Sequence, residues 1–256
     1  EISGFTLMNG YGISETDGGG ITIGIDHVDY STAIISEMHI HDNYGYSGGG
    51  ISTRHMTYLE LSNSIIEYNS AATGGGILLS GRFIINNVDI SNNDALSVGA
   101  ISFYYSQGEL HNTQIHNNTH YYNTPGIMII GANYGEEDDW DSPGIIFNNV
   151  VFYDNIDVDG DDGQVSILSS TSGSSYSNVL FKHATFTLSD PDINMAAIKT
   201  NTVSGPDVGV TIYNSIIDEH ELGAIWNSTP DSPGGLNVNI EYSNIVGGES
   251  TIIDAD

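Results

Sequence analysis

Apolar and polar residues alternate along many short stretches of this chain. Residues 210–213 read VTIY and residues 238–241 read VNIE. Alternation with a period of two is typical of a β-strand that buries one face, and no window sustains a period near 3.6. The 31 glycines also disfavour helices, because each glycine inside a helix costs about 1 kcal/mol. The pattern predicts an all-β protein built from short strands.

The strands belong to a repeat that recurs about eight times. Each copy begins with a glycine-rich motif, here called the step, that ends in an apolar residue. Later in the copy, a second apolar residue lies three positions before an asparagine. Clear copies of the step read GGGI or VGAI, at 18–21, 48–51, 74–77 and 98–101. Looser copies lie at 125–127, 163–165, 195–198 and 222–225. Copies that differ in length by whole loops indicate the rungs of a stacked solenoid.

Equivalent residues of successive rungs form three predicted apolar columns. The first column contains Ile21, Ile51, Ile77, Ile101, Ile127, Val165, Ile198 and Ile225. The second contains Leu61, Ile85, Phe147, Phe181, Ile212 and Ile240. The third contains Ile40, Ile66, Ile90, Ile115, Phe152, Phe186 and Ile217. They predict a three-faced coil in which like residues stack about 4.8 Å apart.

A fourth predicted column consists of asparagines at the bend that ends the third strand. Its members are Asn43, Asn69, Asn93, Asn118 and Asn155. Stacked amides donate to one neighbouring rung and accept from the other, which satisfies polar groups in a turn too tight for water. A single asparagine is an ordinary turn former, but five in register predict an internal ladder.

These motifs resemble those of a known superfamily. The chain from Gly4 to Ile253 resembles the right-handed parallel β-helices of the pectate-lyase-like superfamily. The GGGI and VGAI steps, paired with FYDN at 152–155, resemble motifs of the chlamydial polymorphic outer-membrane proteins and related secreted repeat proteins. The resemblance implies three strands per rung and about eight to nine rungs. Lyases, glycosidases, phage tailspikes and noncatalytic adhesin passengers share this fold, so function must come from sites.

We expect one elongated domain over residues 1–256. The ends lack the polar caps that solenoids normally carry, which predicts a segment of a longer secreted protein and allows self-association through the solenoid ends. The sequence contains no apolar run long enough for a transmembrane helix, and it contains no cysteine to indicate a redox compartment. The resemblance implies an extracellular or cell-surface location.

Charge restricts the partners. The chain has 33 acidic residues against Arg54, Arg82, Lys182 and Lys199, for a formal net charge of −29. Nucleic acid and anionic membranes both need basic residues on the protein, so neither is an expected partner. Divalent cations, high external salt or a cationic partner would neutralise this excess.

Two acidic loops are candidate calcium sites. Residues 131–143 read GANYGEEDDWDSP and residues 154–163 read DNIDVDGDDG. The candidate ligands are Glu136, Asp138, Asp139, Asp141, Asp154, Asp157, Asp159, Asp161 and Asp162. Close carboxylates on turning, glycine-containing loops suit Ca²⁺, which takes six to eight oxygens in irregular geometry. The second loop is not an EF-hand, and ordinary solvated acidic loops are the alternative for both.

Catalysis is disfavoured by the same composition. A uronate lyase needs a cationic base and further basic groups to hold the substrate carboxylates, and four basic residues cannot line such a cleft. Asp161 and Asp162 resemble the acid pair of polygalacturonase-like hydrolases, but the basic motifs of those enzymes are absent. Acid pairs in glycosidases also need a defined separation across a cleft.

Aromatic residues give the strongest binding signal. Tyr105, Tyr134, Trp140 and Tyr176 lie between first and second strands of successive rungs, where they form a predicted ligand-binding wall. Such rings stack on sugars or anchor proteins, although tyrosines also simply cover strands. We therefore expect an extracellular structural or adhesive module that binds neutral glycans or other surface proteins. The alternative is a carbohydrate-active enzyme, either a polysaccharide hydrolase or a lyase.

Overall fold

The computed structural model describes most of the chain. The described residues are 1–13, 18–24, 30–54, 57–121, 124, 126–131, 144–157, 163–168, 177–189, 195–201, 207–218, 220, 222–228, 235–246 and 252–254. Their regular structure is entirely β, and the paired strands form three parallel sheets. No helix in this part of the chain is long and apolar enough to span a membrane.

Sheet 1 has nine strands, each of which follows a glycine-rich or apolar step. They are β3 (Ile21–Ile23), β7 (Ile51–Thr53), β10 (Ile77–Leu79), β13 (Ile101–Tyr104), β17 (Ile127–Ile130), β21 (Gly163–Leu168), β24 (Ala196–Asn201), β27 (Ile225–Asn227) and β30 (Ile252–Asp254). Ile77 pairs with Ile51 on one side and Ile101 on the other, so the first predicted column is confirmed. Ile252 extends it by one rung.

Sheet 2 has 16 strands and supplies both other columns. Its strands are β1 (Ile2–Ser3), β2 (Thr6–Met8), β4 (Ser31–Ser36), β5 (His39–His41), β8 (Thr57–Glu67), β11 (Gly81–Ser91), β14 (Gln107–His111), β15 (Gln114–His116), β18 (Ile145–Asn148), β19 (Val151–Tyr153), β22 (Ser177–Lys182), β23 (Thr185–Thr187), β25 (Val208–Tyr213), β26 (Ile216–Ile217), β28 (Leu236–Glu241) and β29 (Asn244–Ile245). Leu61 pairs with Ile85, and Ile66 pairs with Ile90, as the second and third columns predict.

A bend at left-handed residues divides sheet 2 into a first and a second half. In the long strands β8 and β11 the bend lies at Asn63, with φ 48°, and Asn87, with φ 56°. Asn112, Asn149 and Asn214 have the same conformation where the chain passes between the halves in later rungs. Asparagine tolerates this conformation better than most residues, which explains why it recurs at this bend.

Sheet 3 is a short fourth face that the sequence did not predict. It contains β6 (Tyr44–Ser47), β9 (Ser70–Thr73), β12 (Asp94–Ala95), β16 (Thr119–His120) and β20 (Ile156–Asp157). Gly45, Ala71 and Ala95 share one register column, and His120 and Asp157 continue it. The stacked parallel sheets make the fold solenoid-like, whereas the right-handed coil and the three-strand rung stay predictions.

The asparagine ladder is present in the interior. Nδ2 of Asn93 donates to Oδ1 of Asn118 over 3.0 Å, and Nδ2 of Asn118 donates to Oδ1 of Asn155 over 2.9 Å. The backbone N–H of each asparagine donates to the same acceptor, at 3.0 and 3.2 Å. Beyond Asn155 the next acceptor is Gln164, which reaches the ladder from sheet 1 over 3.2 Å. The ladder therefore links successive rungs through buried amides.

The core between the sheets is mainly apolar, apart from the ladder and a few other buried polar groups, and it is aromatic in the middle rungs. Ile77, Ile101, Ile90 and Ile115 have no exposed surface. Phe147 and Phe181 stack with ring centroids 4.8 Å apart, and Phe152 and Phe186 stack at 4.7 Å. The sheets thus form a rigid scaffold whose outward residues are held at fixed spacing.

Candidate functional site

The outer face of the first half of sheet 2 is a regular array of outward side chains. Inward Leu59, Phe83 and Val179 are buried, and the residues beside them along each strand point outward. One outward column runs through Tyr58, Arg82 and Gln107, and its neighbour runs through Glu60, Ile84 and Glu109. The face therefore displays polar groups on a rigid lattice with one strand spacing between rungs.

A first groove, here the Gly144 groove, opens where this array loses side chains. It encloses about 370 Å³ and is lined by Tyr58, Arg82, Phe83, Ile84, Gln107, Gly108, Glu109, Gly144 and Ile146. Gly108 belongs to the inward column, and a Cβ there would lie 2.9 Å from Cγ of Phe83. In the sequence, Gly144 directly follows the acidic segment 131–143.

Hydrogen bonds fix the acidic groups around this groove. The Tyr58 hydroxyl donates to Oε1 of Glu60 over 2.9 Å, and Nε2 of His111 lies 2.7 Å from Oε2 of Glu109. Partial burial, and then the bond to Glu60, raises the pKa of Tyr58. Arg82 is exposed and forms no ion pair with any described residue. The lining of the groove thus combines the Tyr58 phenol, the Glu109 carboxylate and the Arg82 guanidinium, and Glu60 is bonded to Tyr58 beside it.

A second groove, here the Gly209 groove, opens farther along the same face. It also encloses about 370 Å³, and its lining is Asn178, Asp207, Gly209, Val210, Thr211, Asn237, Val238 and Asn239. Gly209 pairs in register with Asn178 before it and Asn237 after it. The missing side chain at Gly209 therefore leaves a depression between two outward amides.

Of the predicted aromatic wall, the described residues include Tyr105. Tyr105 lies in the connection between β13 and β14, and its ring meets that of Tyr104, the last residue of β13, edge to face with centroids 4.8 Å apart. The Tyr105 ring lies against Gly131, where a Cβ would be 2.6 Å from Cδ1. Tyr134, Trp140 and Tyr176 lie outside the described residues. Tyr105 stands two residues before Gln107, so it adjoins the Gly144 groove.

Two of the predicted calcium ligands are described, and both contact protein groups. Asp154 accepts hydrogen bonds from N and Oγ of Ser189, both at 2.7 Å. Asp157 lies inside the solenoid in β20, where Oδ1 is 2.9 Å from Nε2 of fully buried His120. The remaining candidates, Glu136, Asp138, Asp139, Asp141, Asp159, Asp161 and Asp162, lie outside the described residues. Among the described residues no three acidic or histidine side chains cluster as a metal site would require.

Outward histidines on sheet 2 pair with carboxylates. His39 and His41 flank buried Ile40, and Nε2 of His39 lies 2.7 Å from Oε1 of Glu67. Nε2 of His116 lies 3.1 Å from Oδ1 of Asp89, and this bond lowers the pKa of Asp89. These pairs are partly exposed, so they are local surface contacts rather than a shared site.

Comparisons with protein-family models, curated proteins and solved structures find no match for this chain. The functional assignment therefore rests on the outer face itself. Sequence reasoning did not single out Tyr58, Glu60, Glu109 or Gly209. The available signal was a glycine at an outward strand position, as in the segment VGV at 208–210.

Proposed function

We propose that this chain is an extracellular structural or adhesive β-solenoid module that holds a partner on the outer face of sheet 2. The observation that carries the proposal is the pair of grooves, at Gly144 and Gly209, that open on one rigid face. Neutral glycans and other surface proteins are the partners compatible with that face. The resemblance of the sequence motifs to adhesin-type secreted repeats supports the extracellular location and the noncatalytic role.

Charge favours a neutral partner over an anionic one. The chain carries a formal net charge of −29, and among the described residues that line either groove Arg82 is the only basic one. A polyuronate brings one carboxylate for each sugar, and these charges would be repelled. Glycan hydroxyls need only hydrogen-bond partners, which both grooves offer.

Calcium belongs to the proposal as a stabilising ion of the acidic loops. Residues 131–143 directly precede Gly144, and residues 154–163 begin directly after β19 and include β20 of sheet 3. An ion that binds only the folded chain stabilises it by mass action. Bound Ca²⁺ would therefore stabilise the fold.

The test is an incubation with polysaccharides in the presence of Ca²⁺. Pectate, alginate and neutral polysaccharides are each mixed with the chain, and unsaturated products and new reducing ends are followed over time. The proposal expects binding to a neutral polysaccharide or a surface protein without product. Sustained turnover of any of these polysaccharides would overturn the noncatalytic role.

A hydrolase is the second candidate, and one observation favours it. Glu60 and Glu109 lie in one outward column on either side of Ile84, so their backbones are about 9.6 Å apart, or two strand spacings. Inverting glycosidases place their two carboxyl groups about 6.5–9.5 Å apart, with a water between them. Turnover that is lost in both Glu60→Gln and Glu109→Gln would establish this alternative, and turnover lost instead in Asp161→Asn would place the chemistry in the acidic loop.

A further inference from the structure

The Gly209 groove exists because one outward position has no side chain. A Cβ at Gly209 would lie 2.8 Å from Oδ1 of Asn178, so glycine leaves room for the amide to lie across the strand. In the same column, earlier rungs carry Tyr58, Arg82 and Gln107, and then Gly144, whose missing side chain opens the first groove. Each groove is therefore a local feature of the rungs around one glycine.

Amides and a hydroxyl dominate the side chains that line this groove. Asn178, Asn237 and Asn239 each carry donors and an acceptor, and Thr211 adds a hydroxyl that does both. Nδ2 of Asn239 already donates one hydrogen bond to Oε1 of Glu241 over 3.2 Å. The side chains of Asn178 and Thr211 have no hydrogen-bond partner within the described part of the chain. They are therefore available to a ligand whose own groups both donate and accept.

The single formal charge in the lining is already engaged. Oδ1 of Asp207 accepts a hydrogen bond of 2.6 Å from the backbone N–H of Gly235, and Oδ2 lies 3.4 Å from Nδ2 of Asn237. No cation is present among the described residues that line the groove, so they offer nothing to balance a phosphate, sulfate or uronate. The charge pattern therefore disfavours anionic ligands.

An aromatic pair adjoins the groove. Tyr213 follows Thr211 by two residues on β25, so both side chains point to the outer face. Its ring meets Tyr242 edge to face at 5.4 Å, and Tyr242 is 79% exposed. Rings of this kind pack on the C–H faces of sugars while their hydroxyls stay in water.

The geometry points to a neutral glycan as the occupant of the Gly209 groove. Its hydroxyls bind Asn178, Thr211 and Asn237, and one sugar face packs on the Tyr213 and Tyr242 pair. A protein partner fits less well, because protein interfaces depend on apolar anchors in desolvated pockets and the two lining valines face inward. This inference rests on the proposed function and names the ligand class and the site.

The experiment measures the affinity of the chain for soluble β-glucan, mannan, galactan and xylan by electrophoresis through gels that contain each polysaccharide. Three variants change the groove: Asn178→Ala removes an amide, Gly209→Gln fills the depression, and Tyr242→Asn removes the exposed ring. Tyr242 has φ 51°, a conformation that asparagine accepts. Gln114→Ala and Tyr68→Asn are matched controls outside the groove, because Gln114 is an exposed amide of β15 and Tyr68 is an exposed left-handed tyrosine directly after β8.

We expect at least one neutral polysaccharide to retard the wild-type chain. Loss of one hydrogen bond raises Kd about fivefold to tenfold in Asn178→Ala. Gly209→Gln should weaken binding further, and both controls should bind like the wild type. A soluble fold of each variant is confirmed by circular dichroism.

Two results separate this inference from the proposed function. If the wild-type chain binds a neutral polysaccharide and the groove variants bind equally well, the Gly209 site is wrong while the adhesive role stands. If none of the four polysaccharides is bound, but a purified surface protein is bound on the outer face, the glycan assignment fails alone. If the chain degrades a polysaccharide instead of holding it, the proposed function itself fails.

Discussion

Nε2 of Gln164 lies 2.9 Å from Nε2 of His220, at the C-terminal end of the internal ladder. Nδ1 of His220 is 2.8 Å from the carbonyl oxygen of Asp218, so Nδ1 carries the proton and Nε2 accepts from Gln164. Gln164 cannot turn its amide without losing its bonds to Asn155 and to the Thr187 carbonyl. Because the ladder fixes the orientation of the Gln164 amide, it favours the neutral form of His220.

This arrangement predicts a loss of stability in mild acid. Burial lowers the pKa of His220 below its ordinary value of about 6.5, despite the opposing effect of the Asp218 carbonyl. The unfolded chain then binds more protons than the folded one, so the contribution of His220 is present above about pH 6.5 and is lost as the pH falls below it. The effect is measured by urea unfolding at about pH 7.5 and at about pH 5. These two values lie about one unit or more above and below the ordinary histidine pKa of about 6.5.

The matched variants are His220→Gln and His183→Asn. His183 is exposed and has φ 53°, which suits asparagine. We expect His220→Gln to flatten the loss of stability in acid and His183→Asn to keep it. Equal pH dependence in all three proteins would show that the ladder does not exclude a charged His220.

Removal of one ladder amide should destabilise the chain strongly. Oδ1 of fully buried Asn118 accepts two bonds from Asn93, and its Nδ2 also donates to the carbonyl of Ile90. Asn118→Ala leaves these groups buried and unpaired, and each orphan costs about 1–3 kcal/mol. We expect a loss of about 3 kcal/mol or more in urea unfolding, against about 0.5 kcal/mol or less for exposed Gln114→Ala. Similar urea midpoints for Asn118→Ala and Gln114→Ala would mean that water pairs with the ladder groups that Asn118 leaves.

The aromatic part of the core gives a third prediction. Phe147 is fully buried and lies almost parallel to Phe181, at an interplanar angle of 10°. Phe147→Ala should cost about 3–5 kcal/mol, because the cavity is enclosed by rigid strands. Leu180→Ala changes an outward, half-buried residue one strand away and should cost about 1 kcal/mol. If Phe147→Ala lost no more stability than Leu180→Ala, the assignment of Phe147 to the inward face would be contradicted.

Calcium binding to the acidic loops predicts a lower melting temperature after chelation. The comparison is made at constant ionic strength, because NaCl screens the net charge of −29 without occupying a site. Asp138→Asn and Asp161→Asn remove one candidate ligand from each loop and should reduce the response to Ca²⁺. Ca²⁺ and NaCl that raise the melting temperature equally at matched ionic strength would leave only solvated acidic loops.

Much of the fold follows from the sequence because the core positions are strongly apolar. Isoleucine or phenylalanine occupies nearly every inward position of the three predicted columns, so their register could be written down. Sheet 3 was missed because its inward positions are Gly45, Ala71 and Ala95, which carry little hydrophobic signal. Gln164 was missed because it enters the ladder from a different strand than the asparagines do.

The candidate site was harder to predict. Composition drew attention to the acidic loops and to Trp140, which lie largely outside the described residues. The grooves depend instead on the absence of side chains at Gly144 and Gly209. A glycine in the sequence indicates such a groove only when the strand register shows which residues lie beside it. Asp157 illustrates the same point, since its loop sequence suggested a metal ligand and its side chain faces His120 in the interior.

The most direct test of the central claim is a binding titration in which the polysaccharide is recovered and its chain length is measured. The account predicts saturable binding of a neutral polysaccharide to the wild-type chain, recovery of that polysaccharide at its original length, and weaker binding after Asn178→Ala. Recovery of shortened polysaccharide, with full length restored in Glu60→Gln or Glu109→Gln, would contradict the account and identify an enzyme.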